Sequence, residues 1–115
     1  MSGKVVTQDG KSLASQVWRP ESAIERMKGL LAWSRLEPGQ GMWIEPCSSV
    51  HTFFMKFELD LIFLDNQSRV KKTVNTVHPW RISCCFGARI TLELPAGTLT
   101  QAGIENGQSL YWREN

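Results

Sequence analysis

Between His51 and Asp65 the chain reads HTFFMKFELDLIFLD, an apolar, β-prone run broken by His51, Lys56, Glu58 and Asp60. A strand this apolar has to lie in a sheet. Side chains alternate faces along a strand, so Asp60 shares a face with Ile62 and Leu64 unless a bulge intervenes. If that face is core, its carboxylate must be paired or protonated. The run therefore predicts two strands, Val50–Met55 and Leu59–Leu64, or one long strand bulged near Phe57.

The rest of the chain punctuates into short pieces. Asp9-Gly10 is a turn signal between strand candidates Lys4–Thr7 and Leu13–Trp18. Proline lacks the ladder donor, so Arg19-Pro20 ends the second. Ser22-Ala23-Ile24-Glu25 matches a capping box, in which serine and glutamate satisfy free N–H groups at a helix start. Ile24, Met27 and Leu31 then share a helical face, and the helix is expected to end near Ala32. Met42-Trp43-Ile44 reads as a strand, Cys47-Ser48-Ser49 as a connector, and Asp65-Asn66-Gln67-Ser68 as the clearest hairpin turn. Arg69–Val77 returns as a half-exposed strand. His78–Arg81 reads as irregular, because a residue before proline avoids the helical region. Ile90–Leu94 is a strand stopped by Pro95, Leu99–Ala102 a short helix ending at Gly103, and Ser109–Trp112 a last strand.

The 115 residues form one expected domain, long enough to bury a core without disulfides or metal. The expected fold class is α+β, mostly β: a small β-barrel-like or curled antiparallel sheet with two short helices.

Four blocks, in this order and spacing, resemble the bacterial and archaeal family known as domain of unknown function 192. They are Arg26–Leu31, His51–Lys56, Leu59–Asp65, and Leu92–Gly97 followed by Gly103-Ile104 and Gly107. The resemblance runs from about Trp18 to Leu110. It implies a small barrel-like α+β domain and no particular reaction. Two positions depart from the pattern: Ser68 stands where members commonly carry Gly, and Gln108 where they commonly carry Asp.

Composition excludes several function classes. A net charge of +2 with scattered basic residues is short of a nucleic-acid footprint. The N-terminus has no apolar signal region, and no run is long enough to span a bilayer, so a soluble, cytoplasmic protein is expected. Cys47, Cys84 and Cys85 form an odd set, which suits a reducing compartment. No phosphate-binding loop or dinucleotide fingerprint is present. Zinc favours four ligands in paired short spacings. Cys47, His51, His78, Cys84 and Cys85 lack that spacing, so neither metal nor other cofactor is expected.

Charge inside apolar strands points to the candidate site. Asp60 and Glu93 either lock the fold by accepting backbone or cationic donors, with Lys56, Arg81 or Arg89 as partners, or line a pocket as an acid–base pair. Cys47 and His51 form a possible nucleophile and base, but an extended chain would hold them ~13 Å apart at ~3.3 Å per residue. Trp80-Arg81 suits stacking and anion binding. The preferred expectation is a binding module with a cleft at one end of the barrel, lined by His51, Lys56, Asp60, Trp80, Arg81 and Glu93. Its partner would be a small molecule or a protein. A hydrolase using Asp60/Glu93 or Cys47/His51, and a protein–protein module built on the abundant Trp, are the alternatives.

Overall fold

The computed structural model describes residues 1–31 and 33–115; of the Ala23 and Met27 side chains nothing is described. Nine strands and two short helices follow one another among these residues. Strands β1 (Ser2–Thr7) and β2 (Ser12–Trp18) form the expected antiparallel hairpin. Helix α1 (Ala23–Lys28) comes next, then β3 (Gln40–Ile44) and β4 (Ser49–His51). They are followed by β5 (Leu59–Leu64), β6 (Val70–Val77), β7 (Ile82–Cys84) and β8 (Ile90–Pro95). Helix α2 (Thr98–Ala102) and β9 (Leu110–Glu114) complete the chain.

Seven strands make one sheet in the order β6-β5-β8-β3-β2-β1-β9, antiparallel except at the β2–β3 junction. Strands β4 and β7 form a separate two-stranded ribbon. The central strands β5 and β8 are buried almost throughout. Their apolar runs are near-continuous because both faces of the sheet are covered. One core gathers Ile62, Leu64, Leu92 and Leu94 with Trp43, Leu99 and Leu110. The other, on the opposite face, gathers Leu59, Leu61 and Phe63 with Met42, Ile44, Leu30 and Met55.

Of the two expected forms, barrel-like or curled, the curled sheet fits, and no closed barrel is found among the described residues. Its edge strands β6 and β9 meet at one isolated bridge, Arg69 with Ser109. Flanking bonds run from Val70 N–H to the Gln108 carbonyl and from Leu110 N–H to the Ser68 carbonyl, at 2.8 and 3.0 Å. Among the described residues no ladder continues along that seam.

Two sequence expectations are corrected. Val50–Met55 is not one strand, and it is not continuous with β5. Strand β4 stops at His51, the Met55 N–H turns back to the Thr52 carbonyl at 3.2 Å, and Phe54 takes a left-handed conformation at φ 66°. In α1, Ser22 caps as expected, accepting the Glu25 N–H at 3.1 Å. The helix nevertheless stops at Lys28, because Gly29 leaves the helical region at φ 47° and ψ −129°. Ile24 is 66% exposed instead of facing the core. The expected helix end at Ala32 and the Met27 side chain on that face lie outside the described residues.

Candidate functional site

Register decides where the two strand carboxylates point. Leu61 of β5 stands opposite Glu93 of β8, and Glu93 in turn stands opposite Met42 of β3. Glu93 therefore projects with Leu61 and Met42 into the second core. Asp60 stands opposite Leu94 and projects with Ile62 into the first. The two carboxylates lie on opposite faces of one sheet, so a shared acid–base pair is geometrically closed to them.

Asp60 is 1% exposed and fully engaged. Its Oδ1 accepts the Thr76 N–H at 2.8 Å, and its Oδ2 accepts the Gly97 and Leu99 N–H groups at 3.0 Å each. Gly97 has no side chain with which to cap α2, so Asp60 caps that helix from a distant strand. On its other oxygen it holds the bulge of β6, where Thr76 adopts φ 54°.

Glu93 is 4% exposed and has no hydrogen-bond partner among the described residues. Its carboxyl faces a cavity of about 410 Å³ beneath the β4–β7 ribbon and α1. Leu30, Ile44, Val50 and Met55 supply apolar wall, while Arg26 and Lys28 of α1, Cys47 and His51 supply polar groups. Burial, uncompensated by any donor, pushes the Glu93 pKa up from 4.5 to about 7. Strand β3 approaches β8 closely here because residue 41 is glycine: a Cβ on Gly41 would lie 2.8 Å from the Glu93 carbonyl oxygen.

Of the six residues expected to line one cleft, this cavity brings together His51 and Glu93. Asp60 faces away from it. Trp80 belongs to an exposed aromatic shelf outside: its ring lies 5.7 Å from Phe53 and 4.6 Å from Phe54, and Phe53 is 5.0 Å from the His51 ring. Arg81 bonds its guanidinium to the Pro79 and Trp80 carbonyls, and Lys56 is exposed. Neither approaches a strand carboxylate, and Glu58 pairs instead with His78 at 3.1 Å.

Cys47 and His51 do border the same cavity, because the chain turns at Pro46–Ser48 before β4 begins. The Cys47 thiol donates to the Ser49 carbonyl at 3.2 Å. Among the described residues no three His, Cys, Asp or Glu side chains gather as a metal site would require.

Sequence reasoning overlooked three contributors. Arg26 and Lys28 were noted only inside a resemblance block; two cations beside a helix-ending glycine were the available signal. Thr52, 1% exposed, was also missed. Its hydroxyl donates to the His78 carbonyl at 2.7 Å and accepts the Arg81 N–H at 2.8 Å, tying the aromatic shelf to the ribbon. A lone threonine in an apolar run gives no signal of that kind.

Comparison with known proteins agrees with this architecture. The chain is 30% identical over 98 residues to a UPF0127 protein of Thermococcus gammatolerans, covering 80% of this chain and 63% of that protein. It is 39% identical over 66 residues to a UPF0127 protein of Pyrococcus horikoshii, covering 56% of each. The aligned segments thus cover less than two thirds of either archaeal relative's own length. A solved Sinorhizobium meliloti structure, described as a candidate transcription regulator, matches with TM-score 0.84 and 20% identity over 97% of this chain and 94% of that one. A Novosphingobium aromaticivorans protein of unknown function matches with TM-score 0.78 and 22% identity, over 97% and 84%. At that identity the two structures speak for the fold alone. No described helix is long and apolar enough to cross a membrane. The family DUF192, described as Uncharacterized ACR, COG1430, matches residues 4–112, and the chain belongs to it.

Proposed function

We propose that this domain is a small-molecule-binding module and that its ligand occupies the cavity over Glu93. The observation that carries the reading is a buried carboxyl with no protein partner, facing a cavity large enough for a small ligand. An unsatisfied buried polar group is costly, and native structures keep few of them without a use. His51 stays in this reading as a group on the cavity wall, and Trp80 as part of the shelf beside it. Lys56, Asp60 and Arg81 drop out of the ligand set, since none of them borders the cavity.

A fragment screen followed by methyl resonances tests this. Binders should shift the Met55 and Leu30 methyls, and Val50→Trp, which fills the cavity, should abolish those shifts. Fragments that shift only remote surface residues would count against the reading.

A second reading has one observation in its favour: Cys47, His51 and Glu93 border a single cavity. It makes Cys47 a nucleophile with His51 as base. A catalytic thiolate should alkylate within minutes at neutral pH. Labelling of Cys47 no faster than an ordinary cysteine would end it. The thiol's bond to the Ser49 carbonyl, rather than to an imidazole, favours the binding module.

A further inference from the structure

We infer that the cavity's ligand is a small primary amine with an apolar body and an anionic group at its far end. This rests on the binding-module reading and adds the chemistry of the occupant.

The cavity lining falls into three chemical zones. Glu93 is one of them, nearly buried at 4% exposure. A carboxylate there is largely stripped of water, and no described donor replaces it. Neither Arg26 nor Lys28 reaches it closely enough to form an ion pair. A positive ligand group removes that penalty most completely, by a charge-assisted hydrogen bond in a poorly solvated site. A neutral hydroxyl offers a weaker bond, and an anion would be repelled.

A second zone is apolar. Leu30, Ile44, Val50 and Met55 offer dispersion contacts and no further polar group for the ligand body to satisfy. Farther out stand half-buried Arg26 and exposed Lys28, both in the last turn of α1. Among the described residues, each lacks an acidic partner. Two unpaired cations beside a cavity opening favour an anionic group there.

Four six-carbon probes separate these zones: hexylamine, hexanol, hexanoate and ω-aminohexanoate. Each is titrated into the whole chain at pH 8 while the Met55 and Leu30 methyls are followed. Hexylamine and ω-aminohexanoate should bind at least about tenfold more tightly than hexanol and hexanoate, the usual margin of a charged over a neutral hydrogen bond. Glu93→Gln should erase that margin. The double substitution of Arg26→Ala with Lys28→Ala should remove the advantage of ω-aminohexanoate over hexylamine and leave hexylamine unchanged.

Hexanol or hexanoate binding as tightly as hexylamine would overturn the amine assignment while leaving the cavity a binding site. If no probe moves either methyl, the binding reading falls as well. Should Glu93→Gln fail to fold, competition among the four probes on the unaltered protein still decides the order.

Discussion

Asp60 and Glu93 leave neighbouring strands of one sheet in opposite directions, because the residue opposite Glu93 is Leu61 and not Asp60. That one-residue offset separates their work. Asp60 meets three N–H donors on its face and becomes a joint between strand, bulge and helix. Glu93 meets none on the other and becomes the polar floor of a cavity.

The role of Asp60 predicts a large loss of stability on removal. Asp60→Ala leaves the Thr76, Gly97 and Leu99 N–H groups without that acceptor, the Leu99 group fully buried and the other two part-buried. At about 1–3 kcal/mol for each orphaned group, the loss should be on the order of 4 kcal/mol. Asp60→Asn can keep one oxygen over the α2 terminus but sets an NH2 group against Thr76, and should cost about half as much. Urea unfolding measures both. Because Asp60 faces away from the cavity, ligand affinity of the folded Asn variant should not change.

Glu93 predicts a pH dependence of the opposite sense from that of paired or hydrogen-bonded carboxylates. Its pKa rises from 4.5 to about 7 on folding, so the native state holds the proton more tightly than the unfolded chain. Below pH 4.5 the carboxyl is protonated in both states and costs nothing. Stability then falls as pH rises through the window, and above about 7 the full desolvation cost is present, about 3 kcal/mol. Unfolding of the native protein and of Glu93→Gln, compared at pH 4.5 and 8, isolates this contribution. The native protein should lose about 3 kcal/mol relative to the variant across that range. Parallel pH profiles would refute it.

What the sequence made legible follows the range of the interactions involved. Ser22 and Glu25 marked a helix start because capping is settled within four residues. The β1–β2 hairpin, β8 and α2 were legible for the same reason: their turns and stops lie inside the segment. Asp60 was recognisable as a residue needing partners, but two of those partners, Gly97 and Leu99, lie in a distant segment that only the sheet order brings near. The β4–β7 ribbon escaped because β7 is three residues long and half-polar, with nothing local to distinguish it from loop. Its pairing is what bends the His51–Asp65 run into two parts. The cavity escaped for a related reason, being built from α1, the ribbon and β8, which touch only in the folded chain.

The hairpin turn after β5 predicts a stabilising change. Ser68 adopts φ 62°, a conformation that disfavours a side chain. The Asp65 carboxylate accepts the Gln67 and Arg69 N–H groups at 2.8 and 3.0 Å, so the turn is held whatever stands at 68. These bonds also keep the Asp65 carboxyl below its ordinary range, the Arg69 N–H foremost. Gln108, across the seam, accepts the Glu105 N–H at 2.9 Å through its side chain, the bond a shorter acidic residue could make there. Ser68→Gly should relieve the backbone at a smaller entropic cost in the unfolded chain, raising stability by up to about 1 kcal/mol. A thermal melt checks it, and a lower Tm would be the wrong sign.

Thr52 predicts a local loosening next to the cavity. Its hydroxyl joins the His78 carbonyl to the Arg81 N–H, and its backbone N–H and carbonyl bond to the Arg81 carbonyl and the Trp80 N–H at 2.8 and 3.0 Å. Trp80 needs such fixing, since it is held at φ 67° with 55% of its surface exposed. Thr52→Val keeps the shape of the side chain and deletes the hydroxyl, leaving the part-buried Arg81 N–H and His78 carbonyl without that partner, at about 1 kcal/mol. Hydrogen exchange should then accelerate at Trp80 and Arg81, and along β7, before it does so in β5 or β8, whose protection rests on the two cores. Uniform acceleration across the sheet would mean that Thr52 supports the whole fold and not the shelf. Unchanged exchange would mean that the backbone bonds alone hold Trp80 in place.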